Sequence, residues 1–319
     1  MSSSSSEMSS TLLALSNNLA DAVEQAGRYV VAINTGASSR RGSPRRNSSS
    51  GVHWRPGIIV TAEETIRRSE DITVTLPDGR TVPTTLIGRD PSTDIAVLKL
   101  QDVELPVAEI GEARSLKVGQ LALAVGRSNE SGLNASMGVV SAVGGSWRSS
   151  YGGLIDQFVR LDLSLYPSLE GGPLVVAPGQ VMGITVSGPR RTVLIIPAST
   201  INRVVDQLLA KGHIARGYLG LGMQPVRLPD TLKSTLNLSS GGGVIVINVE
   251  SDGPADKAGV LIGDVLVAID GTPVSDTGDI QAMLGSHSVG KTLNVQIVRG
   301  GALVEVALTV GERLQKEGC

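Results

Sequence analysis

The stretch Tyr166-Pro167-Ser168-Leu169-Glu170-Gly171-Gly172-Pro173-Leu174 lies between two apolar runs. Phe158, Val159 and Leu161 come before it, and Leu174, Val175 and Val176 carry the chain onward. Two adjacent glycines followed by a proline, set between strands, describe a tight backbone corner. Gly171 and Gly172 permit close backbone approach, and Pro173 fixes the exit into the next strand. A carboxylate, Glu170, stands immediately before the glycines.

Around this corner the chain reads as short Val/Ile/Leu runs interrupted by turns. Residues 29–33, 57–60, 72–76, 82–88, 95–100, 121–125, 137–143, 181–186 and 193–196 are expected strands. Their close spacing without intervening helices indicates antiparallel barrels, hence a mostly β protein. Ile201, Val204, Val205, Leu208 and Leu209 recur at helical spacing, with Gly212 as the stop. An N-terminal helix is expected from Leu12, with Leu15, Leu19, Ala22, Val23 and Ala26 on its apolar face and Gly27 at its end. Residues 1–11, rich in serine, are expected to be a disordered tail.

With 319 residues the chain has room for two domains, each with its own core. A net charge of −2 points to neither nucleic acid nor a membrane surface. Aromatic residues make up only 2%, so the core must be aliphatic. The single cysteine, Cys319, excludes an intrachain disulfide and a cysteine zinc site. His53, His213 and His287 lack metal-ligand spacing, so no metal or cofactor is implied. The start, Met-Ser-Ser-Ser-Ser-Ser-Glu, has no basic and apolar leader pattern, and no apolar run is long enough to span a bilayer. The expectation is a cytoplasmic protein. In the 35–50 segment, Arg40, Arg41, Arg45 and Arg46 surround Ser43 and Pro44. That composition favours a solvated loop over an anion-binding or phosphorylatable switch, and the lack of interleaved aromatics argues against nucleic acid.

The last third has a different grammar. Gly253-Pro254-Ala255-Asp256-Lys257-Ala258-Gly259 is a one-turn helix with proline near its start and glycine at its end. Gly263-Asp264-Val265-Leu266-Val267-Ala268-Ile269-Asp270-Gly271 follows, then a helix near 280–284 and paired strands at 293–298 and 303–310. This pattern resembles a PDZ domain. The corner at Glu170, the segment Gly88-Arg89-Asp90-Pro91-Ser92-Thr93-Asp94 and residues 51–65 resemble the trypsin-like domain of the HtrA/Deg serine protease family. The resemblance implies a double six-stranded β-barrel in residues 12–212, a PDZ domain in 213–313 and a tail at 314–319.

Carried over position by position, the family's catalytic aspartate is Asp94, its histidine falls on Glu64 and its serine on Glu170. A slip of one would place the histidine on Glu63. The glycine of the oxyanion hole falls on Ser168. A serine protease needs a hydroxyl nucleophile and a base that accepts its proton near neutral pH. The resemblance with these replacements therefore implies a non-enzyme: an inactive relative, with the Glu170 carboxylate free to plug the former oxyanion hole. The three carboxylates read as decay, either solvated or paired with Arg127 or Arg190, and alternatively as an acid–base or Ca²⁺/Mg²⁺ site of a hydrolase. The PDZ resemblance implies binding of peptides or protein C-termini by Tyr218, Leu219, Gly220 and Leu221, with Met283 and Leu284 completing the pocket. The expected role is that of an adaptor, a chaperone-like holder in quality control or a regulatory partner of an active relative. A structural subunit with a closed groove is the bland rival. A homotrimer is implied by resemblance alone, with Tyr29 the nearest aromatic for such a contact.

Overall fold

The computed structural model describes residues 2–35, 48–66, 71–149, 151–177, 179–238, 241–285 and 288–312. The Arg-rich loop between 36 and 47, His287 and the 314–319 tail lie outside the described residues. The chain divides into two compact units, Met1–Ile214 and Ala215–Cys319.

In the first unit, seven strands form one sheet in the order Thr81–Pro83, Thr73–Thr75, Val30–Asn34, Ser48–Arg55, Ile58–Thr61, Ile95–Lys99, Thr85–Asp90. Six more close a barrel in the order Phe158–Asp162, Val193–Pro197, Gln180–Ser187, Pro173–Val176, Leu121–Ser128, Gly132–Gly144. The trypsin-like architecture is present, but its first half is a seven-stranded sheet rather than a six-stranded barrel. The Thr73–Thr75/Thr81–Pro83 hairpin caps one edge without pairing to the other. An aliphatic core joins the two halves, with Val30, Val60, Val125, Val175 and Ile184 fully buried. The helix Ala198–Lys211 buries Ile201, Val204, Val205 and Leu208 and ends at Gly212, whose left-handed backbone lets its amide reach the Leu208 carbonyl at 2.8 Å.

Two expectations differ from the structure. The N-terminal helix runs Ser2–Gly27 instead of starting at Leu12. Serine is a middling helix former, and a helix already nucleated by packed downstream turns extends at little cost per residue. The second strand begins at Ser48, inside the segment expected to be loop. Ser49 and Ser50 are buried there, because their strand passes beneath the corner that carries Glu170.

The second unit is a sheet in the order Leu221–Arg227, Gly242–Val249, Val265–Ile269, Thr292–Arg299, Ala302–Thr309, with Thr272–Pro273 paired to the middle strand. Leu221–Arg227 is an edge strand. The helix Thr277–Met283 opens with a capping box between Asp276 and Asp279 and buries Ile280. Leu219, Val244, Leu266, Val295 and Leu308 form the core.

Candidate functional site

The first site is built around the Glu170 corner. Gly171 has φ +74°. A Cβ there would come within 2.4 Å of Thr61 Oγ1 and 2.5 Å of the Ser50 carbonyl. Only glycine allows that approach. Ser50 ties the corner down: its amide donates to the Glu170 carbonyl at 2.9 Å, and its hydroxyl donates to the Ser168 carbonyl at 2.7 Å. Thr185 Oγ1 holds the same loop from the barrel side, donating to the Leu169 carbonyl at 2.7 Å. Neither Ser50 nor Thr185 was legible in the sequence, since a small buried hydroxyl carries no pattern.

Asp94 is set by the turn before it. The buried Asp90 carboxylate accepts from the Ser92 hydroxyl and the Thr93 hydroxyl, both at 2.8 Å. That is an Asx-type arrangement, a signal that Asp-Pro-Ser-Thr-Asp does carry. Asp94 follows at φ +54°, and its Oδ1 accepts the Glu64 amide at 2.9 Å. The Glu170 carboxyl lies near enough to act on both Glu64 and Asp94. The structure thus brings Glu64, Asp94 and Glu170 together. Glu63 points elsewhere, 3.4 Å from Arg89. Arg127 is not a partner of the cluster, because its guanidinium donates to the Val30 and Gly27 carbonyls at 2.8 and 2.7 Å.

The carboxyls are crowded with negative charge. Desolvation, the neighbouring Glu170 carboxyl and the charges of Asp94 and Glu63 push Glu64 up to about 8. Burial, with Glu63 and Glu170 adding to it, pushes Asp94 up to about 7 against the pull of the Glu64 amide. Glu64 is exposed as a whole residue, so like-charge crowding is the contribution that a neighbour's substitution will remove. Among the described residues no group of three or more His, Cys, Asp or Glu side chains is arranged to hold a metal ion, and the cation reading gains no support. The expected self-plugging is also different in detail. The Glu170 amide donates to the Pro167 carbonyl at 3.3 Å, the Ser168 carbonyl is taken by Ser50, and Glu170 Oε1 accepts the Ser187 amide at 3.2 Å. The carboxylate reaches the end of the Gln180–Ser187 strand, not its own loop. His53 is a satisfied core histidine, accepting the Gly57 amide at Nε2 (3.0 Å) with Nδ1 2.9 Å from the Pro106 carbonyl.

The second site lies in the other unit. The carbonyls of Leu219 and Gly220 accept from the Ala255 and Glu250 amides at 2.9 and 2.8 Å. The amides of Leu219 and Gly220 have no acceptor among the described residues. Gly220, at φ +75°, makes the turn. Tyr218 donates its hydroxyl to Glu250. Leu221 and Met283 are partly buried beside the edge strand, with Leu284 at the end of the helix. Leu219 was expected to wall the pocket, but it is only 2% exposed and belongs to the core. It lies before the left-handed turn at Gly220, outside the regular strand, and joins the core cluster with Val244, Leu266 and Val295. Tyr29, the expected trimer contact, is likewise buried in its own unit, and burial followed by the charge of Glu109 pushes its hydroxyl up to about 12.

A trypsin-like unit, built of a seven-stranded sheet and a closed six-stranded barrel and followed by a PDZ-like unit, defines a two-domain class of protein. Residues 49–184 match the trypsin-like peptidase domain and 217–310 the PDZ domain. The chain is 34% identical over 270 residues to a probable periplasmic serine endoprotease DegP-like of Chlamydia pneumoniae, covering 82% of this chain and 54% of that protein. It is 32% identical over 290 residues to the one so named in Pseudomonas fulva, covering 89% and 59%. Among solved structures, a variant of the HtrA-type protease AlgW with a decapeptide superposes with a TM-score of 0.78 at 27% identity, covering 94% of this chain and 99% of that one. The serine endoprotease from Yersinia pestis gives 0.72 at 28%, covering 92% and 97%. The chain joins a trypsin-like peptidase domain to a PDZ domain and is similar to DegP-like and HtrA-type proteases. It spans little more than half the length of the curated relatives it matches.

These relatives correct two expectations. The chain was expected not to be an enzyme, yet relatives 31–34% identical over most of it are named serine endoproteases. It was expected to be cytoplasmic, yet the same relatives are named periplasmic. The first expectation weighed two substituted positions against a whole family. The second rested on the N-terminal residues, which do not fix a compartment.

Proposed function

We propose that this chain binds peptides and protein C-termini in the groove between the Leu221–Arg227 strand and the Thr277–Met283 helix, as an adaptor or regulatory partner within its family. The observation that carries the reading is the pair of unengaged amides at Leu219 and Gly220, whose own carbonyls are both occupied. Such a concavity of N–H groups accepts a carboxylate. The edge strand supplies main-chain pairing for the residues before it, and Leu221 and Met283 give the last side chain an apolar seat. The decapeptide in the AlgW structure lends this analogy, and partnership with an active relative is its regulatory form. A fluorescence polarisation titration of the full chain with a labelled free-acid peptide ending in Val tests it. Binding should be roughly micromolar, and should weaken when the peptide is amidated or Leu221 becomes Glu. Equal binding of acid and amide would overturn the reading.

The neighbouring Glu64 and Glu170 carboxyls, with Glu64 held protonated to about pH 8, favour a second activity in the other unit, a carboxylate-based peptide hydrolase. One proton on two carboxyls leaves one base to activate water and one acid to protonate a leaving amine. Casein cleavage by the wild type that is lost in Glu64→Gln and falls as Glu64 ionises above about pH 8 would support it. Cleavage unaffected by that substitution would remove it.

A further inference from the structure

The edge strand continues beyond the apolar groove. Val246 gives both backbone groups to the far side of its strand, its amide to the Asp264 carbonyl at 2.8 Å and its carbonyl to the Gly263 amide at 2.9 Å. Val246 is the partner of Met223, so Met223 turns its own N–H and C=O outward. The register from Met223↔Val246 to Arg227↔Gly242 is unbroken, so Pro225 and Arg227 share that orientation. Pro225 has no N–H to offer. A strand added along this edge therefore loses a rung at Pro225, and its upstream residues are released from the ladder there.

What they meet is a cavity of about 710 Å³ whose lining includes Pro225, Arg227, Lys233, Gly242 and Ser275. Its volume suits a side chain or a short turn of peptide. Its charge is unbalanced. Lys233 is paired with Asp230 at 2.5 Å, whereas Arg227 is exposed and has no ion-pair partner among the described residues. A peptide running antiparallel to Leu221–Arg227, with its last residue beside Leu221, places the residue about six positions earlier beside Arg227.

We propose that this cavity is an upstream subsite of the peptide groove, in which Arg227 selects an Asp or Glu about six residues before the C-terminus. The proposal rests on the peptide-binding reading and adds to it a preference that the apolar seat at Leu221 does not supply. Arg227 is a specificity-determining residue in this sense: the terminal anchor is common to all ligands, and the upstream charge sorts them.

Two labelled free-acid decapeptides ending in Val test it, differing only in Glu or Lys six residues before the end, titrated against the full chain and Arg227→Glu. The wild type should hold the Glu peptide about threefold to fivefold tighter, as a solvent-accessible ion pair allows. The difference should shrink as salt is raised. Arg227→Glu should invert the preference. A pentapeptide too short to reach Arg227 should bind both proteins equally. Equal binding of the two decapeptides by the wild type, a preference that survives Arg227→Glu, or a pentapeptide weakened by it would overturn the subsite while leaving the groove standing. Failure of every peptide to bind would overturn both.

Discussion

Glu64 and Asp94 hold carboxyls that prefer to keep their protons, and stability must register this. Glu64 has its folded value raised from 4.5 to about 8, and Asp94 from 3.8 to about 7. For a raised carboxyl the native state binds more protons than the unfolded state between the two values, so stability falls as pH rises through that window. The contribution is complete below the unfolded values and lost by about pH 8. We expect the melting temperature of the first unit to decline from pH 5 to pH 8.5, and to decline less steeply in Glu64→Gln, which stays neutral throughout. Thermal melts followed by circular dichroism check this, and a curve that rises over that range would count against the proton-holding cluster. Glu64, Asp94 and Glu170 were legible because each lies in a run with several recognisable neighbours. Ser50 and Ser187 were not. One serine in a serine-rich segment and one strand-end serine gain their roles only when the fold brings the Glu170 corner against them.

Elements with strong punctuation were readable in advance. The Ala198–Lys211 helix has an apolar stripe and a glycine stop, and the Gly253–Pro254 start of the Pro254–Lys257 helix has its N-terminal signature. What was not readable is where a weakly patterned segment joins its neighbour. The first residues of the Ser48–Arg55 strand fell in the segment expected to be loop because they are serines, whose burial at Ser49 and Ser50 follows from tertiary contacts and not from propensity. The corner itself tests how tightly such contacts constrain an element. Gly171→Ala would force an alanine into a left-handed backbone and set its methyl against Thr61 Oγ1 and the Ser50 carbonyl. Neither neighbour is the free end of a flexible side chain. Gly171→Ala should therefore cost about 2 kcal/mol or more, read as a lower urea midpoint at unchanged slope. A midpoint within error of the wild type would show that the corner can relax.

At the scale of the whole molecule, the two units keep separate aliphatic cores, one drawn from residues up to Ile214 and the other from Leu219 onward. Each should therefore unfold as its own cooperative step. The second unit has a sensitive point. Asp264 is 2% exposed, and Arg299 clasps it with Nε and Nη2 at 2.8 and 2.7 Å while a further bond from Nη2 reaches the Gly259 carbonyl. The guanidinium and the Leu261 amide hold the Asp264 carboxyl below its usual range despite its burial. Removing the cation strands a buried charge, which costs more than the pair contributes by being present. Arg299→Met keeps the stem and removes the charge, and should lower the stability of the second unit by about 3 kcal/mol. Ser50→Ala deletes a buried hydroxyl that bridges the Ser168 carbonyl and the Arg127 amide, and should lower that of the first by about 1–3 kcal/mol. Calorimetry of the full chain should resolve two transitions, each variant shifting one and leaving the other in place. A single transition that moves with both substitutions would mean that the cores, though built from separate residues, melt as one.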